Sequence, residues 1–201
     1  MSAPVSVAGR QIWAAVRAML VATLALGLLY PLVVTGIAQL VAPGRADGSL
    51  VHDGGTVVGS SLIGQSFTGS DGNPLPQYFQ PRPSASDYDG KASGGSNLGP
   101  NSPELADLIA QRRAEVAAFN GVPPADVPPD AVTASASGLD PGISPAYAAI
   151  QVARVAAARH VPPADVSRLV AAATVDRDLG FIGAPYVNAV ELNLALDREL
   201  P

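Results

Sequence analysis

The chain has no cysteine in its 201 residues. That absence removes disulfides, thiolate metal sites, cysteine nucleophiles and the lipid-attachment cysteine of a lipoprotein. Lysine is almost missing as well, Lys91 being the only one. With 12 basic against 17 acidic residues the formal net charge is -5, and no stretch forms a basic patch. Nucleic acid is therefore not expected as a partner. Aromatic residues make up 5% of a chain that is 48% hydrophobic, so its apolar content is mainly Ala, Val and Leu and its core should be shallow. The two histidines, His52 and His160, lie far apart in no metal-ligand spacing and read as surface or capping residues. Gly-x-Ser-x-Gly, His-Glu-x-x-His and Walker motifs are also absent. What the chain has in quantity is 20 Gly and 19 Pro, which predicts long ordered loops between apolar segments.

Charge is missing from one long run. Residues 18–44 carry none, and about 20 apolar residues cross a bilayer as helix. The reading is a transmembrane region over residues 13–43, with residues 1–12 in the cytoplasm and residues 44–201 forming a soluble extracytoplasmic domain. Arg10 and Arg17 precede the run, and no acidic residue does, so the positive-inside bias sets this orientation. Pro31 is a kink site. Ala14, Ala18 and Ala22, followed by Gly27 and Gly36, offer a small-residue face for a neighbouring helix. The run holds no ionisable group, so the helix alone is neither pump nor channel. A cleaved signal peptide is the competing reading, and it would need an apolar stretch about half as long.

The remainder reads as a small α+β domain behind one N-terminal transmembrane helix. β-Branched runs flank Asp53-Gly54, a hairpin signal. Residues 68–103 are loop-like, yet Tyr78, Phe79 and Tyr88 predict that they are packed down. Ser102-Pro103 starts a helix that Asn120-Gly121 ends, Ser144-Pro145 starts another running to about His160, and a third covers about 164–174. Asn188-x-x-Glu191 opens the last one in the manner of a capping box. The hexapeptide Val-Pro-Pro-Ala-Asp-Val occurs at 122–127 and again at 161–166, where it should stop one element and restart the next.

Three places hold candidate chemistry. Ser93-Gly94-Gly95-Ser96-Asn97, close behind Lys91, can turn backbone N–H groups toward an anion, although ordinary turn chemistry uses the same residues. Asp140, held extended before Pro141, offers a carboxylate to a cation or a partner, or rigidifies the approach to the helix at Ser144. Asn188, Glu191 and Asn193 form a polar binding face or, for the first two, a helix cap. An anchored hydrolase using Ser93 or Ser96, and a free-standing anchored binding protein, are the alternative classes.

The order of short motifs along the chain is specific. Tyr30-Pro31-Leu32 sits in the span. Gly59-Ser60-Ser61-Leu62-Ile63-Gly64-Gln65 and Tyr78-Phe79-Gln80-Pro81-Arg82-Pro83-Ser84-Ala85 come after it. Next are Ser93-Gly94-Gly95-Ser96-Asn97-Leu98-Gly99-Pro100, Val132-Thr133-Ala134-Ser135, Gly138-Leu139-Asp140-Pro141 and Ile143-Ser144-Pro145. Val187-Asn188 and Leu192-Asn193-Leu194-Ala195-Leu196-Asp197 close the series. Together they resemble the C subunit family of the Kdp high-affinity potassium-transporting ATPase. Two departures stand out: Ala184-Pro185-Tyr186 where the family often has Glu-Pro-Arg, and Gly142 where a larger polar residue is common.

The resemblance implies a non-catalytic accessory subunit in the inner (plasma) membrane. Its partners would be a channel-like potassium-binding subunit, a P-type ATPase subunit and membrane lipid, with potassium as the transported ion. It also implies a catalytic-chaperone role in ATP binding, with the 93–97 loop likened to an ABC-transporter signature loop and ATP as its ligand. ATP is cytoplasmic, however, and the charge bias places that loop outside. The physical reading favours an external domain over the potassium entrance.

Overall fold

A computed structural model describes residues 7–200 and divides into two compact units, with the boundary in the sequence after Ser49. Residues 1–6, the start of the expected cytoplasmic segment, lie outside the described residues.

In the first unit, α1 (Val7–Leu24), a π-helical turn (Ala25–Leu29) and α2 (Tyr30–Val41) form one helix of 35 residues, with no residue buried. It is long and apolar enough to cross a membrane. The π turn lies just before Pro31, where Tyr30 N–H donates to Ala25 O, five residues back. Pro31 has no N–H to give, and its ring would crowd the carbonyl of Gly27 in a regular turn. A widened turn is one of the ways a helix absorbs that conflict. A single turn, α3 (Pro43–Ala46), comes next, and Gln39 Nε2 donates to Asp47 Oδ1 at 2.7 Å.

The second unit opens with the expected hairpin, β1 (Leu50–Asp53) and β2 (Thr56–Ser60), antiparallel with a bulge between Val51 and His52. Its two turn residues, Gly54 and Gly55, have φ of +54° and +86°, the doubly left-handed turn that matches strand twist. Four helices make up the body: α4 (Pro103–Asn120), α5 (Pro145–Arg159), α6 (Pro163–Ala173) and α7 (Ala189–Glu199). Ser102 and Ser144 cap α4 and α5 by accepting from Leu105 and Tyr147 N–H. Gly121 and His160, both left-handed, end the same two helices.

A second sheet was not foreseen. β3 (Gly142–Ile143), β4 (Thr174–Val175) and β5 (Tyr186–Asn188) are antiparallel in the order β3-β5-β4. They pack with α5, α6 and α7 around a core whose largest buried members include Phe79, Ile143, Val155, Val166, Leu192 and Leu196. The domain is thus α+β, with its sheets small and its core mainly aliphatic.

The two copies of the hexapeptide have different fates. Residues 124–126 make one 3-10 turn and stop, whereas Pro163 opens an eleven-residue helix, α6. The residues after each copy decide the difference. Pro128 and Pro129 come after Val127 and bar helix, while Ser167 and Arg168 come after Val166 and permit it.

Candidate functional site

The 93–97 loop lies along residues 135–138. Gly94 N–H donates to Ser137 O at 2.8 Å, and Ser93 Oγ donates to the same carbonyl at 3.1 Å. The two glycines are not equivalent. A Cβ on Gly94 would meet nothing within 4 Å, whereas one on Gly95 would come 3.1 Å from Ala136 O. Neither has a positive φ; the left-handed residue of the loop is Asn97, at +55°. The position that truly needs glycine is Gly138, where φ is +67°. A Cβ there would stand 2.4 Å from Ser86 Oγ and 2.7 Å from Gly94 O. Three segments therefore converge on Gly138. Its carbonyl also accepts from Ser84 Oγ at 2.7 Å, fastening the 84–88 turn.

Asp140 pairs with Arg82 at 3.0 Å, and its other oxygen accepts from Gly142 N–H at 2.9 Å. Arg82 Nη2 reaches Thr133 O, while its Nε is buried without a partner among the described residues. The pair lies in the wall of an open recess of about 450 Å³ that Leu62, Asp130, Ser144 and Tyr186 also line. A second recess of about 330 Å³ lies between the 80–88 segment and α4, with Arg82, Tyr88, Arg112, Phe119 and Tyr147 in its wall. No residue of the 93–97 loop lines either one.

Asn188 is the N-cap of α7, accepting from Val190 and Glu191 N–H, and its Nδ2 donates to Ser61 O at 2.7 Å. Gly142 pairs with Asn188 across β3 and β5, so Asp140 and Asn188 are brought close in the fold. Asn193 lies elsewhere, deep in the core. Its Oδ1 accepts from Phe79 N–H at 2.8 Å and its Nδ2 donates to Phe79 O at 2.9 Å. One carboxamide thus satisfies both backbone groups of a fully buried residue.

The next residue is held in the same way from another helix. Gln151 of α5 accepts from Gln80 N–H at 2.7 Å and donates to Gln80 O at 3.1 Å. Arg154, one turn on, donates to Gln151 Oε1, Asn120 Oδ1 and the carbonyls of Pro76 and Tyr78. Its guanidinium also lies 4.4 Å from the Phe119 ring centre, a cation–π contact. No carboxylate is within ion-pair distance of it among the described residues. Burial pulls its pKa down to about 10, so it stays charged at neutral pH on dipoles and a ring alone. Arg159 adds Gln77 O, Leu200 O and Asp197. Gln151 and Arg154 are the residues that sequence reasoning missed. The available signal was a glutamine on the apolar stripe of α5, four residues after Tyr147 and four before Val155.

Two phenols flank this assembly. Tyr88 donates to Arg82 O at 2.7 Å, and Tyr147 is almost wholly buried. Burial pushes both well above the usual tyrosine range; Asp140 adds to the effect at Tyr88, while Arg154 partly offsets it at Tyr147. Both phenols favour the fold while neutral. That stabilisation is complete below about pH 10, where an unfolded tyrosine begins to ionise, and is lost as pH rises further. In a titration followed by phenolate absorbance, Tyr88 and Tyr147 should stay silent until the fold is lost. A phenolate signal that disappears on Tyr88→Phe or Tyr147→Phe, seen while native circular dichroism is retained, would contradict this placement.

The comparisons with known proteins agree along nearly the whole chain. A family model described as KdpC, the c chain of the K+-transporting ATPase, matches residues 12–198. The chain is similar to the potassium-transporting ATPase KdpC subunit of Beijerinckia indica, 54% identical over 181 residues, 89% of each chain. The corresponding subunit of Kineococcus radiotolerans is 55% identical over 185 residues, 91% of each chain. That of Gemmatimonas aurantiaca is 54% identical over 174 residues, 85% of this chain and 84% of the relative.

Proposed function

Because this chain belongs to the KdpC family, we propose that it is a non-catalytic accessory subunit of an ATP-driven potassium uptake complex. In this reading the 35-residue helix anchors the chain in the plasma membrane beside a channel-like potassium-binding subunit and a P-type ATPase subunit. The Leu50–Pro201 unit lies on the outer face over the potassium entrance. The observation that carries the reading is the near-full-length likeness to KdpC subunits, which covers both the apolar helix and the domain.

For the 93–97 loop the geometry favours a structural task over a nucleotide cradle. A phosphate cradle needs backbone N–H groups turned outward. Here Gly94 N–H and Ser93 Oγ are both engaged by Ser137 O. Asp87 and Asp89 closely precede Lys91, so the neighbourhood offers no surplus positive charge to a triphosphate. Any effect of the subunit on ATP affinity then passes through the ATPase partner and not through direct contact.

The decisive test is topology. Arg10 and Arg17 before the span support an exported domain. A reporter active only outside the cytoplasm, fused after Pro201, should be active. A silent fusion at normal expression would place the domain with cytoplasmic ATP and reopen direct nucleotide binding. The purified chain should hydrolyse neither ATP nor esters; turnover lost on Ser93→Ala or Ser96→Ala would favour the hydrolase alternative.

A further inference from the structure

The hairpin joining β4 to β5 keeps its apolar side chains out of the core. Its connection reads Asp176-Arg177-Asp178-Leu179-Gly180-Phe181-Ile182-Gly183-Ala184-Pro185. It is an ordered turn, because Asp178 and Ile182 exchange both backbone hydrogen bonds, at 3.0 and 2.9 Å. Yet Leu179 is 83% exposed and Phe181 72% exposed. Leu179 also has φ of +53°, a conformation that Gly or Asn adopts far more readily than a branched apolar residue. A large apolar side chain thus combines unfavourable backbone with exposure to water.

The apolar surface continues down the hairpin. Val175 and Tyr186 face each other across β4 and β5, and both are exposed. Tyr186 is also a wall of the 450 Å³ recess, together with the exposed Leu62. A projecting knob and a recess therefore adjoin on one surface. Contiguous exposed apolar patches of this kind mark interaction sites.

Charge decides between lipid and protein as the occupant. Segments that lie on membranes carry Lys and Arg beside their apolar residues. This tip is flanked by Asp176 and Asp178 with Arg177 between them, a net negative rim. The recess beside it has the Arg82–Asp140 pair and Asp130 in its wall, polar groups that acyl chains cannot satisfy. We propose that the 179–182 tip is a docking knob that enters an apolar socket, basic at its rim, on another protein subunit of the same complex. The proposal rests on the accessory-subunit reading above.

The test uses the whole complex, purified through a tag on a partner subunit. Leu179→Asp with Phe181→Asp should reduce the chain recovered with its partners at least tenfold. The thermal melt of the full-length variant on its own should match wild type. Recovery at the wild-type level would overturn the knob. Because the chain has no cysteine, Phe181→Cys also gives a single labelling site. An environment-sensitive dye placed there should report water in vesicles holding this chain alone and shift to the blue once the partner subunits are added. This arm decides the matter even if the double variant folds poorly. A blue shift in lipid alone, quenched by lipid-borne quenchers, would assign the tip to the bilayer and overturn the proposal. If wild type itself recovers with no partner subunit, the accessory-subunit reading fails first, and the knob fails with it.

Discussion

Asn193→Leu should lower the melting temperature of the Leu50–Pro201 unit by about 10 °C. Leucine fits an aliphatic core, so no large cavity opens. What it removes is the only partner, among the described residues, of Phe79 N–H and Phe79 O, in a residue with no solvent exposure. Leaving a buried backbone group unsatisfied costs roughly 1–3 kcal/mol, so two cost on the order of 4 kcal/mol. In a domain of this size each kcal/mol corresponds to roughly 2–4 °C. Gln151→Leu should act alike through Gln80. The two effects should not add, because the carboxamides hold adjacent residues of one segment and Arg154 bonds to Gln151. A melt of Asn193→Leu within about 2 °C of wild type would mean that the 79–80 segment is held by packing and not by these bonds.

Gly138→Ala should destabilise by about 3 kcal/mol, summing about 1 kcal/mol of left-handed strain, the steric displacement of Gly94 O and loss of the loop's bond to Ser137. Ser86 can rotate away, but Gly94 O belongs to the backbone and cannot without moving its loop. Gly94→Ala is the matched control, with open space and no unfavourable φ, and should change stability by less than about 0.5 kcal/mol. Denaturant melts of the two variants give the comparison directly. A Gly94→Ala chain that melts like wild type but fails to support ATPase activity of the assembled complex would show a ligand or partner role for that loop. Equal tolerance of both substitutions would mean that the convergence on Gly138 carries no weight in the fold.

What could be read from the sequence was local chemistry. Ser102-Pro103, Ser144-Pro145 and Asn188 announce helix starts because a cap acts within four residues, and Asp53-Gly54 announces a hairpin for the same reason. The β3-β5-β4 sheet could not be read this way, since its strands are two or three residues long and β3 lies some 45 positions before the β5 it pairs with. Nor could the two hexapeptides be told apart from their own six residues. For the site, Gly138-Leu139-Asp140-Pro141 is legible as a dense segment through the carboxylate of Asp140, whereas Gly138, whose demand arises from segments distant in sequence, is the tighter constraint. Asn188 caps a helix, one of the two roles open to it, and Asn193 turned inward to a backbone that lies 114 positions earlier. Partnerships over such distances leave no local pattern.

The paired carboxamides have one more consequence. The aromatic segment at 78–80 is the kind of short, uncharged stretch that recruits strands from other chains when its edges lie bare. Here its backbone presents Phe79 to α7 and Gln80 to α5, and each meets an amide that completes it as a neighbouring strand would. Side chains on helices have closed both edges, so the folded domain offers no template there for aggregation.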